Sequence, residues 1–279
     1  IPLITMGLMS REYQSGSIKL LYSSPVKNTS IIFGKFLSMM VYGFALIAVL
    51  GVFVLFSAIT IVNFDYSLVL SGMLGLYLLI LAYSAIGLFM SSITKYQVVA
   101  AIGTLAVLAV LNFIGDVGQE YDLVRNITYW LSITGRAYPF IDGLIASDNV
   151  FYFLIVIGFF LALSILKLNT EKSIMPLKTK VLKYSGIVLV TLVLGYVSST
   201  PYTKFYYDAS YTKENTLAQE SQEVIKNLEG GLTITTYVNL LDEDFYNGVP
   251  RNRNNDLKRF EKYIRFKPDI EMKYVYYYD

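Results

Sequence analysis

The residues able to make or break bonds are few and badly spaced for it. The chain has no Cys and no His, which excludes thiol catalysis, disulfides, zinc sites built on thiolate or imidazole ligands, and His-based proton transfer. Leu241-Asp242-Glu243-Asp244 offers carboxylates but lacks the spaced ligands and glycine of a calcium loop, and reads as a solvated turn. No nucleophile, base and orienting group form a trio in residues 202–279. What remains is recognition. The stretch Arg11-Glu12-Tyr13-Gln14-Ser15-Gly16-Ser17-Ile18-Lys19-Leu20-Leu21-Tyr22-Ser23-Ser24-Pro25-Val26 mixes charged and apolar positions, then leads through Gly34-Lys35 into a long apolar run. Its pattern predicts one short amphipathic helix: Ser10 caps it, Glu12 sits in its first turn, Ile18, Leu21 and Tyr22 share a face, and Pro25 ends it. A charged helix at the mouth of a membrane bundle is costly unless it lies at the interface, which makes it a contact surface for a soluble partner. The plainer reading is an interfacial loop that only anchors the chain.

The elements that position this stretch follow from composition. Hydrophobic residues make up 54% of the chain and charged residues 16%, and mean hydropathy is +0.50, values of an integral membrane protein. Five runs are long enough for the roughly 20 residues a span needs: Phe36 to Val62, Ser67 to Met90, Gln97 to Ile114, Phe151 to Leu166 and Tyr184 to Thr200. Arg11, Lys19, Lys27, Lys35, Lys95, Lys167, Lys172, Lys178, Lys180 and Lys183 lie on one set of loops, and only Arg125 and Arg136 on the alternate set. The positive-inside rule places the first set in the cytosol and everything after Thr200 outside. Gly72, Gly75, Ser84, Ala85 and Gly87 permit close helix approach. The scarcity of ionisable residues deep in the spans argues against a proton relay or an ion-coupled carrier. A formal charge of +2 gives no reason to expect a nucleic-acid partner.

Asp116 to Asn149 mixes acids (Asp116, Glu120, Asp122) with Tyr129-Trp130-Leu131, Arg136, Tyr138-Pro139-Phe140 and Asp142-Gly143. It reads either as an outer loop with interfacial aromatics or as a helical pair dipping into the outer leaflet. Beyond Thr200 the hydropathy falls and the pattern becomes α/β: a helix over Leu217 to Leu228 ended by Gly230-Gly231, a strand over Leu232 to Val238, a basic amphipathic helix over Asn254 to Phe266, and a strand over Ile270 to Tyr278. That order predicts two parallel neighbouring strands joined by a crossover. Of the 24 tyrosines, Tyr206-Tyr207 read as interfacial anchors and Tyr276-Tyr277-Tyr278 as strand packing, with a glycan-stacking platform the lesser reading. Ile1 to Met9 reads as the end of a preceding apolar helix, and Tyr274 to Asp279 stops in a strand, so the chain is expected to be cut at both ends.

Glu12, Gly16, Ile18-Lys19-Leu20-Leu21, Ser24-Pro25-Val26 and Gly34-Lys35 resemble the pattern of ABC-2 type transporter permeases, with Ser17 where that family more often has Thr. The resemblance implies that Arg11, Glu12, Gly16, Ile18, Lys19, Leu20, Leu21 and Pro25 belong to a coupling helix docking on an ATP-binding subunit, with Gly16 permitting close approach. It also implies that Gly34 and Lys35 open the next span. Tyr138-Pro139-Phe140-Ile141-Asp142-Gly143-Leu144-Ile145 resembles the stretch before the last permease span, which implies a helical pair and an outer gate at Trp130, Tyr138, Pro139, Phe140, Asp142 and Gly143; the His that relatives carry near position 138 is missing. Tyr207-Asp208, Lys213, Asn215-Thr216-Leu217 and the following helix and strand resemble the start of the external auxiliary domain of gliding-motility-type ABC transporters, with Asp208-Ala209-Ser210 in place of Asp-Leu-Thr. The fold expected is therefore an α-helical polytopic bundle over residues 1–200 and an external α/β domain over 201–279. The function implied is a non-enzymatic permease subunit, most naturally an exporter, in a bacterial inner membrane with residues 201–279 on the periplasmic side. It would work with a second permease unit and membrane lipids. It holds no cofactor, since a GxxxxGK[ST] phosphate loop is missing and ATP and magnesium would sit on the partner. The alternative is a non-transporting envelope scaffold or gliding- or secretion-associated anchor whose external domain recruits surface proteins.

Overall fold

The computed structural model describes residues 1–173, 175–200, 203–243, 245, 249 and 252–279. Pro201 and Tyr202, at the expected domain boundary, and Asp244 of the carboxylate turn lie outside the described residues.

Two short helices, α1 (Pro2–Thr5) and α2 (Gly7–Ser15), are followed by α3 (Ile18–Ser23). Then come α4 (Asn28–Thr60), α5 (Tyr66–Ile93) and α6 (Gln97–Phe113), the short pair α7 (Asp122–Leu131) and α8 (Ile133–Ile141), strand β1 (Leu144–Ala146), α9 (Ser147–Lys172) and α10 (Leu177–Ser198). Five helices are long and apolar enough to cross a membrane: Asn28–Thr60, Tyr66–Ile93, Gln97–Asp116, Ser147–Lys172 and Leu177–Ser198. They fall where the hydropathy places them, but α4, α9 and α10 begin earlier than their apolar runs. The added residues include Asn28 and Lys35, Asp148, or Lys178, Lys180 and Lys183, polar residues that continue a helix while reaching back toward water.

At the bundle's centre α5 packs against α4, α8 and α9. The small residues do what the sequence suggests. A Cβ on Gly87 would lie 2.0 Å from Thr5 Oγ1, and one on Gly75 would lie 2.4 Å from Phe140 Cβ. These glycines let α1 and α8 sit directly on the α5 backbone, where dispersion contacts hold helices together.

The α1–α2 break has an identifiable cause. The Ser91 hydroxyl, from α5, donates to the Met6 carbonyl at 2.8 Å and accepts from the Met9 and Ser10 amides at 2.9 and 3.0 Å. A side chain inserted into the helical ladder in this way bends the helix, and here it uses the hydroxyl's donor and both acceptors. Ser91→Ala is expected to leave these buried backbone groups short of partners and to cost about 1–3 kcal/mol. A thermal unfolding midpoint identical to wild type would rule the bracket out.

After α10 come β2 (Tyr206–Asp208), α11 (Gln219–Asn227), β3 (Leu232–Asn239), α12 (Arg253–Ile264) and β4 (Ile270–Tyr277). Strands β3 and β4 pair in parallel from Leu232↔Ile270 to Asn239↔Tyr277, with α12 as the crossover. The pairing of β1 with β2, antiparallel from Leu144↔Asp208 to Ala146↔Tyr206, has no signal in the sequence pattern. Tyr206 and Tyr207 both sit in this ladder against the segment that follows α8 while remaining exposed, and the Arg265 guanidinium lies 4.6 Å from the Tyr206 ring centre.

Candidate functional site

The charged stretch is an elbow of two helices, not the single capped helix expected. Ser10 lies inside α2, buried, with its hydroxyl bonded back to the Met6 carbonyl. It caps nothing, and α2 has no acid in its first turn, because the helix already starts at Gly7. Gly16 ends α2 in the left-handed region at φ 77°, which makes it the hinge of the elbow. No heavy atom lies within 4 Å of a Cβ placed there, so it supplies backbone freedom and not close approach to any part of this chain. Pro25 follows the end of α3, as expected.

Glu12 closes the elbow. Its carboxylate accepts from the Ser17 hydroxyl just past the hinge and pairs with the Lys35 ammonium of α4 at 3.2 Å. The Ser17 hydroxyl, helped by Lys35 and opposed by partial burial, holds this carboxyl below the usual glutamate range. Gly34 and Lys35 lie well inside α4, so their place is the flank of the elbow and not the opening of the helix. A second brace, invisible to the sequence reading, comes from Glu171 at the end of α9. It accepts from the Tyr13 hydroxyl at 2.5 Å and the Tyr22 hydroxyl at 3.0 Å, and pairs with Lys167 at 2.9 Å. Burial pushes the Tyr13 phenol up and the Tyr22 phenol to about 12, so both stay protonated donors. The i,i+4 Lys-Glu pair at a span end was the available signal for this clamp.

The braces sort the elbow's side chains. Ile18 is buried and Leu21 and Tyr22 pack against the bundle core, so Ile18 and Leu21 of the expected contact set face inward. Arg11, Gln14, Gly16, Lys19 and Leu20 face out, Leu20 with 73% of its surface exposed. Leu20 thus presents an exposed apolar side chain next to Lys19 on the braced elbow.

At the opposite end, α7 and α8 form the helical pair, joined at Ser132, whose hydroxyl caps α8 by accepting from the Gly135 amide at 3.2 Å. Phe140 is fully buried on Gly75, and Trp130 packs over Gly195 and edge-on to Tyr152 at 5.6 Å. Pro139 lies inside α8, and Tyr138 is 52% exposed. Gly143 turns the chain at φ 83°, and its carbonyl accepts from the Ala209 amide at 2.7 Å. The Asp142 carbonyl accepts from Asn215 Nδ2 at 2.6 Å. Behind them Arg136 donates to Asp148 and Asn149, each at 3.1 Å. Of the expected gate residues, then, Phe140 and Trp130 are packing anchors, the Asp142 and Gly143 carbonyls hold the segment that follows β2, and Tyr138, Pro139 and the exposed Asp142 border a cavity.

Asp208 organises the turn that follows β2. It accepts from the Ser210 hydroxyl at 2.6 Å and from the Ser210 and Asn215 amides at 3.0 and 2.9 Å. Burial raises its carboxyl, but the hydrogen bonds from Ser210, Asn215 and Thr216 outweigh it and hold the group below the usual aspartate range. A depressed carboxyl stabilises above the ordinary aspartate range, and the contribution is lost as pH falls through the lower folded value. Protection of the β1 and β2 amides, corrected for the intrinsic pH dependence of exchange, is therefore expected to be high at neutral pH and to fall in acid below that range; pH-independent protection would remove Asp208 from this role.

A bundle of five apolar helices, braced at its lysine-rich end and carrying a helical pair at the other, defines a multi-pass membrane protein. A family model described as ABC-2 family transporter protein matches residues 2–198, and the chain belongs to that family, whose members are membrane permeases of ABC transporters. No curated protein and no solved structure matches the chain.

Proposed function

We propose that the protein is the permease subunit of an ABC-2 type exporter. It sits in a bacterial inner membrane as one of a pair, and a separate ATP-binding subunit docks on the elbow from the cytosol. The observation that carries this reading is the outward ridge of Arg11, Gln14, Lys19 and Leu20 on an elbow braced to two spans, to α4 by Glu12 and to α9 by Glu171. An anchor has no need of such bracing.

The same α9, about 39 Å long at helical rise, holds Glu171 at one end and Asp148 and Asn149 at the other. A push on the elbow from ATP-driven closure of the partner would travel along this strut to Arg136 and tilt α8. Residues 201–279 are proposed to be the periplasmic start of a gliding-motility-type auxiliary domain, riding on the outer gate through the β1–β2 ladder.

Affinity purification of the protein from its own membrane, followed by mass spectrometry, tests the reading. Recovery of an ATP-binding cassette subunit is expected, reduced about tenfold or more by Glu12→Ala or Gly16→Leu with insertion unchanged, because the first removes a charge-assisted brace and the second puts a side chain on a left-handed hinge. Envelope proteins recovered without any such ATPase would overturn it in favour of a scaffold.

A further inference from the structure

The basic face of α12 borders a cavity, and the permease reading makes no use of it. Lys258, Arg259, Lys262 and Arg265 stand at positions i, i+1, i+4 and i+7, hence on one side of the helix. Together with Tyr129 of α7 and Tyr138 of α8 they line a cavity of about 260 Å³ at the seam between the helical pair and the external segment.

Arg265 is the floor of the cavity. Its side chain is 9% exposed, bonded to Glu261 at 3.3 Å and to the Asn215 carbonyl at 2.9 Å, and its Nε is buried without a hydrogen-bond partner among the described residues. Lys258, Arg259 and Lys262 have no carboxylate within 4.0 Å among the described residues. Lys258 lies instead over the Tyr138 ring at 6.0 Å and Lys262 over Tyr263 at 5.9 Å. Three acids also line the space: Glu261 pairs with Arg265, Glu214 accepts from the Thr212 hydroxyl at 2.9 Å and keeps its charge, and with Asp142 they leave the four cations in excess by one.

Like charges gathered around one cavity repel, and an anion with several acceptor oxygens reverses the sign of that interaction. Two ammonium groups and a guanidinium fork suit phosphate oxygens better than a single carboxylate. We propose that the cavity binds a phosphate-bearing group, its oxygens held by Lys258, Arg259 and Lys262, with the Tyr129 and Tyr138 rings flanking whatever the phosphate is attached to. Bound there, the group would tie α12 to the helical pair at the place where the outer gate is proposed. The inference goes beyond the permease reading and does not depend on the partner ATPase, because binding is read on the protein alone.

The test uses the full chain in phosphatidylcholine nanodiscs, titrated with glycerol phosphate by calorimetry, in parallel with its unfolding midpoint in discs with and without phosphatidylglycerol. Lys258→Gln with Lys262→Gln is expected to weaken the response about tenfold or more, while Lys258→Arg with Lys262→Arg retains it and Lys273→Gln, on exposed β4, leaves it unchanged. An unfolding midpoint for the glutamine pair equal to wild type in phosphatidylcholine discs shows that the fold survives. A response to glycerol phosphate alone identifies a soluble ester, and a response to phosphatidylglycerol alone identifies a lipid headgroup. If wild type responds to neither, or the glutamine pair responds as wild type does, the assignment is overturned.

Discussion

Asp148→Ala is expected to destabilise the fold by about 3–5 kcal/mol, the cost of leaving one partner of a buried ion pair without the other. The Arg136 and Asp148 side chains are each 11% exposed and 3.1 Å apart. Around Arg136 stand the rings of Tyr129 and Tyr152, at 5.7 and 5.9 Å from its guanidinium carbon, and the Asn149 amide oxygen. Its Nε has no hydrogen-bond partner among the described residues. The pair therefore has little to replace a lost carboxylate, and Lys204, at 3.7 Å from Asp148, is a second cation left behind. The double change Arg136→Met with Asp148→Leu is expected to recover most of the loss, since apolar side chains of similar volume substitute well for a buried pair. Unfolding of Arg136→Met, Asp148→Leu and the double, taken as a cycle, isolates the coupling. Additive losses would mean that the pair contributes no joint stability and that α8 is held on α9 by packing alone.

Gly75→Ala carries the other large effect, and its sign is the informative part. Helix propensity favours alanine over glycine by about 1 kcal/mol. At position 75, however, the new methyl would lie 2.4 Å from Phe140 Cβ and 2.7 Å from its Cγ. The Cβ of Phe140 is fixed to the α8 backbone and cannot swing away, so either α8 shifts or the helix pair separates. A loss of about 1–3 kcal/mol, the usual range for overpacking, is expected to outweigh the propensity gain. Gly158→Ala and Gly186→Ala serve as controls, because nothing lies within 4 Å of a Cβ at either position, and both should be neutral or stabilising. If Gly75→Ala matches these controls, Phe140 is not seated on the α5 backbone and α8 is looser than described.

The parts of the molecule legible in advance were those encoded by local periodicity. The five spans and the helix-strand-helix-strand order after Thr200 follow from hydropathy and from the spacing of apolar residues, whereas the residues alone leave the helical pair after α6 open and only the family resemblance favours it. The parallel β3–β4 pair followed from that order, because a helix between strands forces a crossover. Misjudged were the details in which local signals compete with a tertiary contact. Ser10 has the residue type of a cap, yet the Ser91 hydroxyl inserts one turn earlier and moves the break to Met6. Gly16 suggested close approach, whereas its backbone conformation is what the elbow requires.

By itself, then, the sequence determined a lipid-spanning helical bundle with its lysines gathered at one end. The burial of apolar surface and the need to satisfy every backbone group in hydrocarbon leave no other solution for such runs. It also carried the residues by which the elbow resembles a permease coupling segment. Only the tertiary structure decided which of them face out, because Glu171 is separated from Tyr13 by most of the bundle's sequence and reaches it through the packing of α9. Likewise the β1–β2 ladder, the Arg136–Asp148 pair and the cavity bordered by the α12 cations join segments distant in sequence or differently oriented. A pattern of period two or 3.6 states which face a residue occupies, but the partner of that face depends on how whole elements dock, which no local spacing records.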